Sequence, residues 1–240
     1  MIKPTMQKVD WYAYAQRYDM LLAYNPFYQE LHNEVLRRLK GWKIREGGII
    51  ADIGAGTGNY SVAVAQLFPQ ARILHIDNSK GMNAVALEKS AGLHNFCLLN
   101  QSIEEVTLMP DSLNGLICIN AIYTFPNPAR MLQKMYEWLA PGARAILVDP
   151  GRPVPLLSLK MKIAKHLLLK YGLGQTLKLL REGQAISQQN AYIRKMQKNG
   201  IYWTHSHEDF CKAVRQAGFR IESSEICFDK NCDMVAIRKP

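Results

Sequence analysis

The sequence predicts an α/β fold built on a mostly parallel, doubly wound sheet. Three observations carry that prediction. Apolar runs of strand length alternate with helical patterns from about residue 47 to residue 150. The first run passes straight into a glycine-rich loop, "ADIGAGTGNYS", and then a helix. The second run ends on an acid, Asp77. In open parallel sheets, ligands gather at the carboxyl ends of the strands.

Each element has its own justification. Residues 9–40 carry apolar and aromatic residues at three and four spacings (Trp11, Tyr14, Ala15, Tyr18, Leu21, Leu22), and Asn25-Pro26 divides them into two helices. "GGIIADIG" reads as a buried strand, "NYSVAVAQLF" as a helix stopped before Pro69, and "ARILHID" as the second strand. "SKGMNAVALEKSAG" is a helix closed by Gly92. "NFCLLN" and "NGLICIN" are the third and fourth strands, "ARMLQKMYEWLAPG" a helix ending in Pro-Gly, and "ARAILVDP" the fifth strand. The alternation then stops, and residues 151–204 read as two or three helices. "SHEDFCKAVRQAGF" resumes as a helix with Ser206 as N-cap and Asp209 three residues on. "RIESSEICF" and "CDMVAIRKP" close the sheet as a strand pair. The organisation expected is an N-terminal helical cap over 1–46, a core over 47–150 and 205–240, and a helical insertion over 151–204 between the fifth and sixth strands.

Composition narrows the class. With 240 residues, 48% apolar and 21% charged, the chain can bury one large core. No apolar run reaches the roughly 18 residues of a membrane span, and "MIKPTMQKVDWYAYAQRYD" lacks the apolar centre of a signal peptide. Five cysteines without CxxC or zinc spacing predict reduced thiols, a cytoplasmic location and no structural metal. Residues 151–200 hold ten Lys and Arg against one acid, Glu182, a charge of +9 of the total +10. Its best helix, Leu156 to Tyr171, sets Met161, Ile163, Ala164, Leu167 and Leu168 on one side and Lys162, Lys165, His166 and Lys170 on the other. The bland account is an apolar face on the core and a solvated basic face. The functional accounts are a lid over the acceptor of a reaction, a field for an anionic or lipid-like small molecule, or contact with a membrane surface. Nucleic acid is not favoured, since few aromatics stand among the lysines.

Asp52, Gly54, Gly56 and Gly58 lie just past the first strand, where a ligand can approach a backbone without meeting a Cβ. Asp77 stands about 20 residues beyond, placed to accept the hydroxyls of a ribose. Dinucleotide folds use GxGxxG; here the spacing is GxGxG, with Asn59 where the third glycine would fall. An acid inside the strand end suits a cationic ligand better than a pyrophosphate. "ADIGAGTGNYS" with "HIDNS" resembles the class I S-adenosylmethionine-dependent methyltransferases, small-molecule type, and "EWLAPGARAILVDP", "FCKAVRQAGFRIESSE" and "AYAQRYDMLL" extend the resemblance, which fails over 151–200. The resemblance implies a Rossmann-like seven-stranded sheet whose last strand is antiparallel, and S-adenosylmethionine as cofactor. It implies that Gly54, Gly56 and Gly58 pass under the methionine part, that Asp52 helps hold its ammonium, and that Asp77, with Asn78 and Ser79, takes the ribose. It sets Ser102 and Ile103 at the adenine, Asn120 and Ala121 beneath the sulfonium, and Tyr18 in the helix capping the cofactor.

Methyl transfer from a sulfonium is an in-line displacement, so the protein chiefly positions the nucleophile and no catalytic residue is specified. Candidate bases and pocket walls are His205, His207, Tyr14 and Tyr123, each with a bland reading as cap, surface or packing residue. "NAIY" has the ends of the Asn-Pro-Pro-Tyr motif of amino-directed nucleic-acid methyltransferases but lacks both prolines. The functions in competition are a small-molecule methyltransferase, one acting on lipid or nucleic acid, a nicotinamide-dependent oxidoreductase, and a non-enzymatic partner of another methyltransferase.

Overall fold

The computed structural model describes residues 11–240; the first ten residues of the expected cap lie outside the described residues. The N-terminal helices are α1 (Trp11–Tyr18), α2 (Met20–Tyr24) and α3 (Pro26–Leu39). Asn25 caps α3 by accepting from the backbone N–H of Phe27, with Pro26 at the first helical position. The expected break at Asn25-Pro26 is there, and a further one falls at Asp19.

The core follows as β1 (Ile49–Ile53), α4 (Asn59–Leu67), β2 (Arg72–Ile76), α5 (Lys80–Lys89), β3 (Phe96–Leu99), β4 (Leu113–Ile119), α6 (Pro128–Trp138) and β5 (Leu139–Asp149). Helix α6 stops four residues short of the expected Pro-Gly end. Leu139 instead pairs with Leu113, and the ladder resumes at Gly115 and Arg144 after an irregularity. Helices α7 (Leu156–Glu182) and α8 (Gln184–Lys198) fill the expected insertion. Gly172, at φ 77° and ψ 173°, breaks α7 into two pieces, so three helical segments occupy the insertion. Helix α9 (His207–Gln216), β6 (Arg220–Cys227) and β7 (Cys232–Arg238) complete the chain. Ser206 and Asp209 form the reciprocal capping box at the start of α9.

The seven strands order as β3-β2-β1-β4-β5-β7-β6, with β7 antiparallel to both neighbours. One core lies under α6 and α9, built from Leu116, Leu132, Met135 and Phe210. The other lies under α3 and α4, built from Val35, Leu39, Ile50 and Val64. Strand order reverses between β1 and β4, so the loops after these strands flank a crevice at the sheet's carboxyl edge. Among the described residues, no helix is long and apolar enough to cross a membrane.

Candidate functional site

The first cavity, of about 370 Å³, lies at that crevice. Its walls include Asp52, Gly54 and Gly56 after β1, Asp77, Asn78 and Ser79 after β2, Ser102 and Ile103 after β3, Asn120 and Ala121 after β4, and Tyr18 from α1.

The three glycines serve different ends. A Cβ on Gly54 would stand 2.3 Å from the Cβ of Ala121, so this glycine lets the loops after β1 and β4 touch. Gly56, at φ +57°, faces open space with only the Met82 sulfur 4.0 Å away. Gly58 is not among the cavity walls. It begins α4 at φ +77°, and a Cβ there would press on Ala86 of α5 at 3.1 Å. Gly54 and Gly56 thus border the cavity, while Gly58 lets α4 start close against α5.

Asp77 holds the loop as well as facing the cavity. One carboxylate oxygen accepts from Gly56 N at 2.9 Å and the other from Ser79 N at 2.8 Å. A carboxylate has about four acceptor sites, so two remain. Asp52 is buried, with Oδ2 2.5 Å from Ser61 Oγ. It is nonetheless one of the cavity walls, and burial raises its pKa to about 7. Ser61 Oγ also lies 2.9 Å from His75 Nδ1, and His75 Nε2 lies 3.1 Å from Asn83 Oδ1. Asn83 donates through Nδ2 to Asp77 O and to Asn100 Oδ1, which fixes its amide orientation. His75 must then donate from Nε2. With a neutral ring its Nδ1 accepts from Ser61, and Asp52 must itself carry a proton to donate to Ser61. Burial lowers the pKa of His75 to about 4, in keeping with that neutral chain.

Two features of this cavity were not anticipated. Asp19, at the α1–α2 break, accepts from Thr57 Oγ1 at 2.6 Å and from Lys89 at 3.0 Å, tying the helical cap to the glycine loop. Tyr60 Oη is buried on the cavity wall without a hydrogen-bond partner among the described residues. Buried polar atoms are nearly always satisfied, so a polar ligand fits here.

The second cavity, of about 240 Å³, adjoins the first, and Tyr18, Tyr28 and Asn120 line both. Asn120 sits at φ 55° at the end of β4, a left-handed conformation that asparagine tolerates. The walls come from α1 and α2 (Tyr14, Leu21, Tyr24), from α7 (Leu159, Ile163, Leu167, Leu179), from α8 (Ile186, Asn190, Arg194) and from Tyr123 after β4. Tyr14 and Tyr18 meet edge to face at 5.2 Å, and Tyr18 and Tyr28 at 6.1 Å. Burial raises the pKa of Tyr14, Tyr28 and Tyr123 well above the ordinary phenol value. Among the described residues no carboxylate or histidine lines this cavity, whereas Lys160 and Arg194 do. The Nε of Arg194 is buried, with no hydrogen-bond partner among the described residues.

The crevice geometry agrees with what comparison with known proteins shows. Residues 50–142 match the family described as Methyltransferase domain. The ubiquinone/menaquinone biosynthesis C-methyltransferase UbiE of Geobacter sulfurreducens is 26% identical over 73% of this chain and 66% of its own length. Residues 50–142 thus carry the signature of a methyltransferase domain, and the chain around them is similar to S-adenosylmethionine-dependent methyltransferases. A trans-aconitate 2-methyltransferase of Deinococcus radiodurans is 31% identical over 39% of this chain and 34% of its own length. The chain thus spans slightly under two thirds of one of these relatives and about one third of the other. Among solved structures, a SAM-dependent methyltransferase from Aquifex aeolicus matches the fold with TM-score 0.63 at 16% identity, covering 97% of this chain and all of that one. The N-methyltransferase NodS from Bradyrhizobium japonicum, in complex with S-adenosyl-L-homocysteine, does so with TM-score 0.62 at 14% identity, covering 96% and 99%.

The structure places the two histidine candidates, His205 and His207, outside both cavities. His205 is enclosed between two buried acids, with Nε2 3.1 Å from Asp149 and Nδ1 3.6 Å from Asp233. Gly151 packs so close that a Cβ there would lie 2.3 Å from the ring, and Phe210 stacks on it at 4.7 Å. His207 pairs with Asp233 at 3.0 Å, and Arg152 grips the same carboxylate through both terminal nitrogens at 3.0 and 2.9 Å. This cluster joins the insertion to the core and is a strut. The amphipathic assignment of α7 also changes. Leu159, Ile163 and Leu167 face inward, while Met161 and Leu168 are exposed and Lys162 pairs with Asp229 at 2.7 Å.

Proposed function

We propose that this methyltransferase moves the methyl group of S-adenosylmethionine onto a small molecule with an apolar body and an anionic group. The observation that carries the reading is the opposite character of two adjoining cavities. One presents Asp77 and a glycine loop; the other is apolar, rich in tyrosine, free of carboxylates and supplied with Arg194 and Lys160. A nicotinamide cofactor fits less well, because GxGxG lacks the pyrophosphate-facing third glycine.

In this reading Asp77 receives the ribose hydroxyls on the acceptor sites its loop contacts leave over, with Asn78 and Ser79 beside it. Gly56 leaves room for the methionine part, and Ser102 and Ile103 meet the adenine. Asn120, Ala121, Tyr18 and Tyr28 surround the junction the methyl group crosses. Lacking a histidine or carboxylate, and with phenols whose pKa burial raises, the acceptor cavity supplies no base. The acceptor atom must therefore arrive unprotonated, as a carboxylate does at neutral pH. Helices α7 and α8 serve as its lid, and their outer face suits an anionic membrane surface.

The test has two stages. Calorimetry with S-adenosylmethionine and NADH should show binding of the former alone. Transfer of labelled methyl should then proceed with medium-chain carboxylic acids and not with the matching alcohols or amines. Arg194→Gln should raise the acid's KM about tenfold or more, since a hydrogen bond to a charged group contributes about 1.5–3 kcal/mol, with kcat little changed. Equal use of alcohols, or an unaltered KM in Arg194→Gln, overturns the anionic acceptor while leaving the cofactor reading intact.

A further inference from the structure

Helix α7 is apolar on two opposite sides. The inner side, Leu159, Ile163, Leu167 and Leu179, lines the acceptor cavity. The outer side carries Leu157, Met161 and Leu168 at helical spacing, and after the Gly172 break Leu173 and Leu177 repeat the pattern. Together with Leu169 these residues are between 46% and 78% exposed. A solvated helix face is normally polar, and a contiguous apolar patch on the surface marks an interaction site.

The charge around the patch narrows its occupant. Lys165, Lys170 and Lys178 stand exposed beside these leucines, and the segment 151–200 holds +9 with Glu182 as its one acid. Lysines flanking exposed leucines suit a surface that is anionic at its headgroups and apolar just beneath. A second copy of the chain docked through the same patch would oppose +9 with +9. Among the described residues, no helix, α7 included, is long and apolar enough to cross a bilayer.

We propose that the outer face of α7 docks on an anionic phospholipid surface, its leucines entering the headgroup–acyl boundary and its lysines meeting the headgroups. This docking does not depend on the identity of the acceptor, and its test makes no use of turnover.

The experiment is co-sedimentation of the full chain with vesicles of phosphatidylcholine alone or mixed with phosphatidylglycerol. The protein should pellet with the mixed vesicles, stay in solution with the neutral ones, and be released by salt. Two triple variants separate the contributions: Lys165→Glu, Lys170→Glu, Lys178→Glu, and Leu157→Gln, Leu169→Gln, Leu173→Gln. A basic residue near such a surface contributes about fivefold to partitioning, so the charge reversal should weaken binding at least about a hundredfold. The glutamine variant should also lose pelleting. Affinity for S-adenosylhomocysteine, unchanged in both, shows that each variant is folded. The proposal is overturned if the native chain ignores mixed vesicles or if both folded variants pellet as it does. It is equally overturned if sedimentation without lipid shows a dimer that the leucine substitutions dissolve.

Discussion

Asp52→Asn probes the buried chain that runs from β1 through Ser61 and His75 to Asn83. Asparagine has the shape of the protonated acid, and its Nδ2 can donate to Ser61 Oγ as the acid's proton does. The native carboxyl has its pKa raised from 3.8 to about 7 by burial. A group raised in this way contributes stability that is complete below its unfolded pKa and lost as pH rises through the folded one. The native protein therefore loses stability between about pH 4 and pH 7, and the asparagine variant does not. Each pH unit in that window is worth about 1.4 kcal/mol, so the variant should gain up to about 4 kcal/mol on the native protein by pH 7. For a chain of this length that is about 10 °C in Tm. His75, lowered to about 4, contributes in the opposite direction over nearly the same range, but it is present in both proteins and cancels from the difference. The assay is urea unfolding of both proteins at half-unit steps from pH 4 to 8, followed by far-ultraviolet circular dichroism. A difference that is flat with pH, or one that favours the native protein as pH rises, refutes the protonated acid and places the proton on His75 instead.

Four further outcomes are expected. Asp77→Ala should weaken S-adenosylmethionine at least tenfold by calorimetry, because it removes ribose acceptors worth about 1.5–3 kcal/mol each and frees Gly56 N and Ser79 N. Gly56→Val should abolish cofactor binding while the protein still folds, since its side chain would occupy open cavity at a positive φ. Gly58→Ala should do the reverse, lowering stability by about 1 kcal/mol or more through its φ and its contact with Ala86, with cofactor affinity kept in the folded fraction. Asp19→Ala should speed hydrogen exchange across α1 and α2 while leaving α4 protected, because Thr57 and Lys89 lose the carboxylate that anchors the cap.

What the sequence could disclose depended on whether the cause of a residue lay in its neighbours along the chain. The loop from Gly54 to Gly58 was legible, since a strand, a positive-φ turn and a helix start leave their mark within a dozen residues. The division of labour inside it was not. Gly56 faces open cavity and Gly58 faces Ala86, 28 positions later, and no local pattern tells these apart. The capping box at Ser206 and Asp209 was legible for the same reason, whereas His205 beside it gave no hint that it lies between Asp149 and Asp233. Ser61, His75 and Asn83 each look like ordinary helix or strand residues until the sheet brings them together under Asp52.

The insertion is the sharpest case. Its leucines recur at several helical spacings at once, so either of two stripes could face inward. The side carrying Leu159, Ile163 and Leu167 is buried because the tyrosines of α1 and α2 lie opposite it. The second stripe is left outside, as the sequence alone could not show. Arg194 follows the same logic: ten basic residues in the segment look alike, and only the fold brings Arg194, with Lys160, to the cavity wall. The net charge of the segment therefore serves two purposes. Most of it stays on the surface, where it acts over a Debye length of about 8 Å and yields to salt. The charge on Arg194 acts from within a cavity of low polarity, where screening is weak and geometry selects the ligand. Raising ionic strength should thus weaken vesicle binding far more than it weakens a carboxylate held by Arg194, and that divergence separates the two uses of one basic segment.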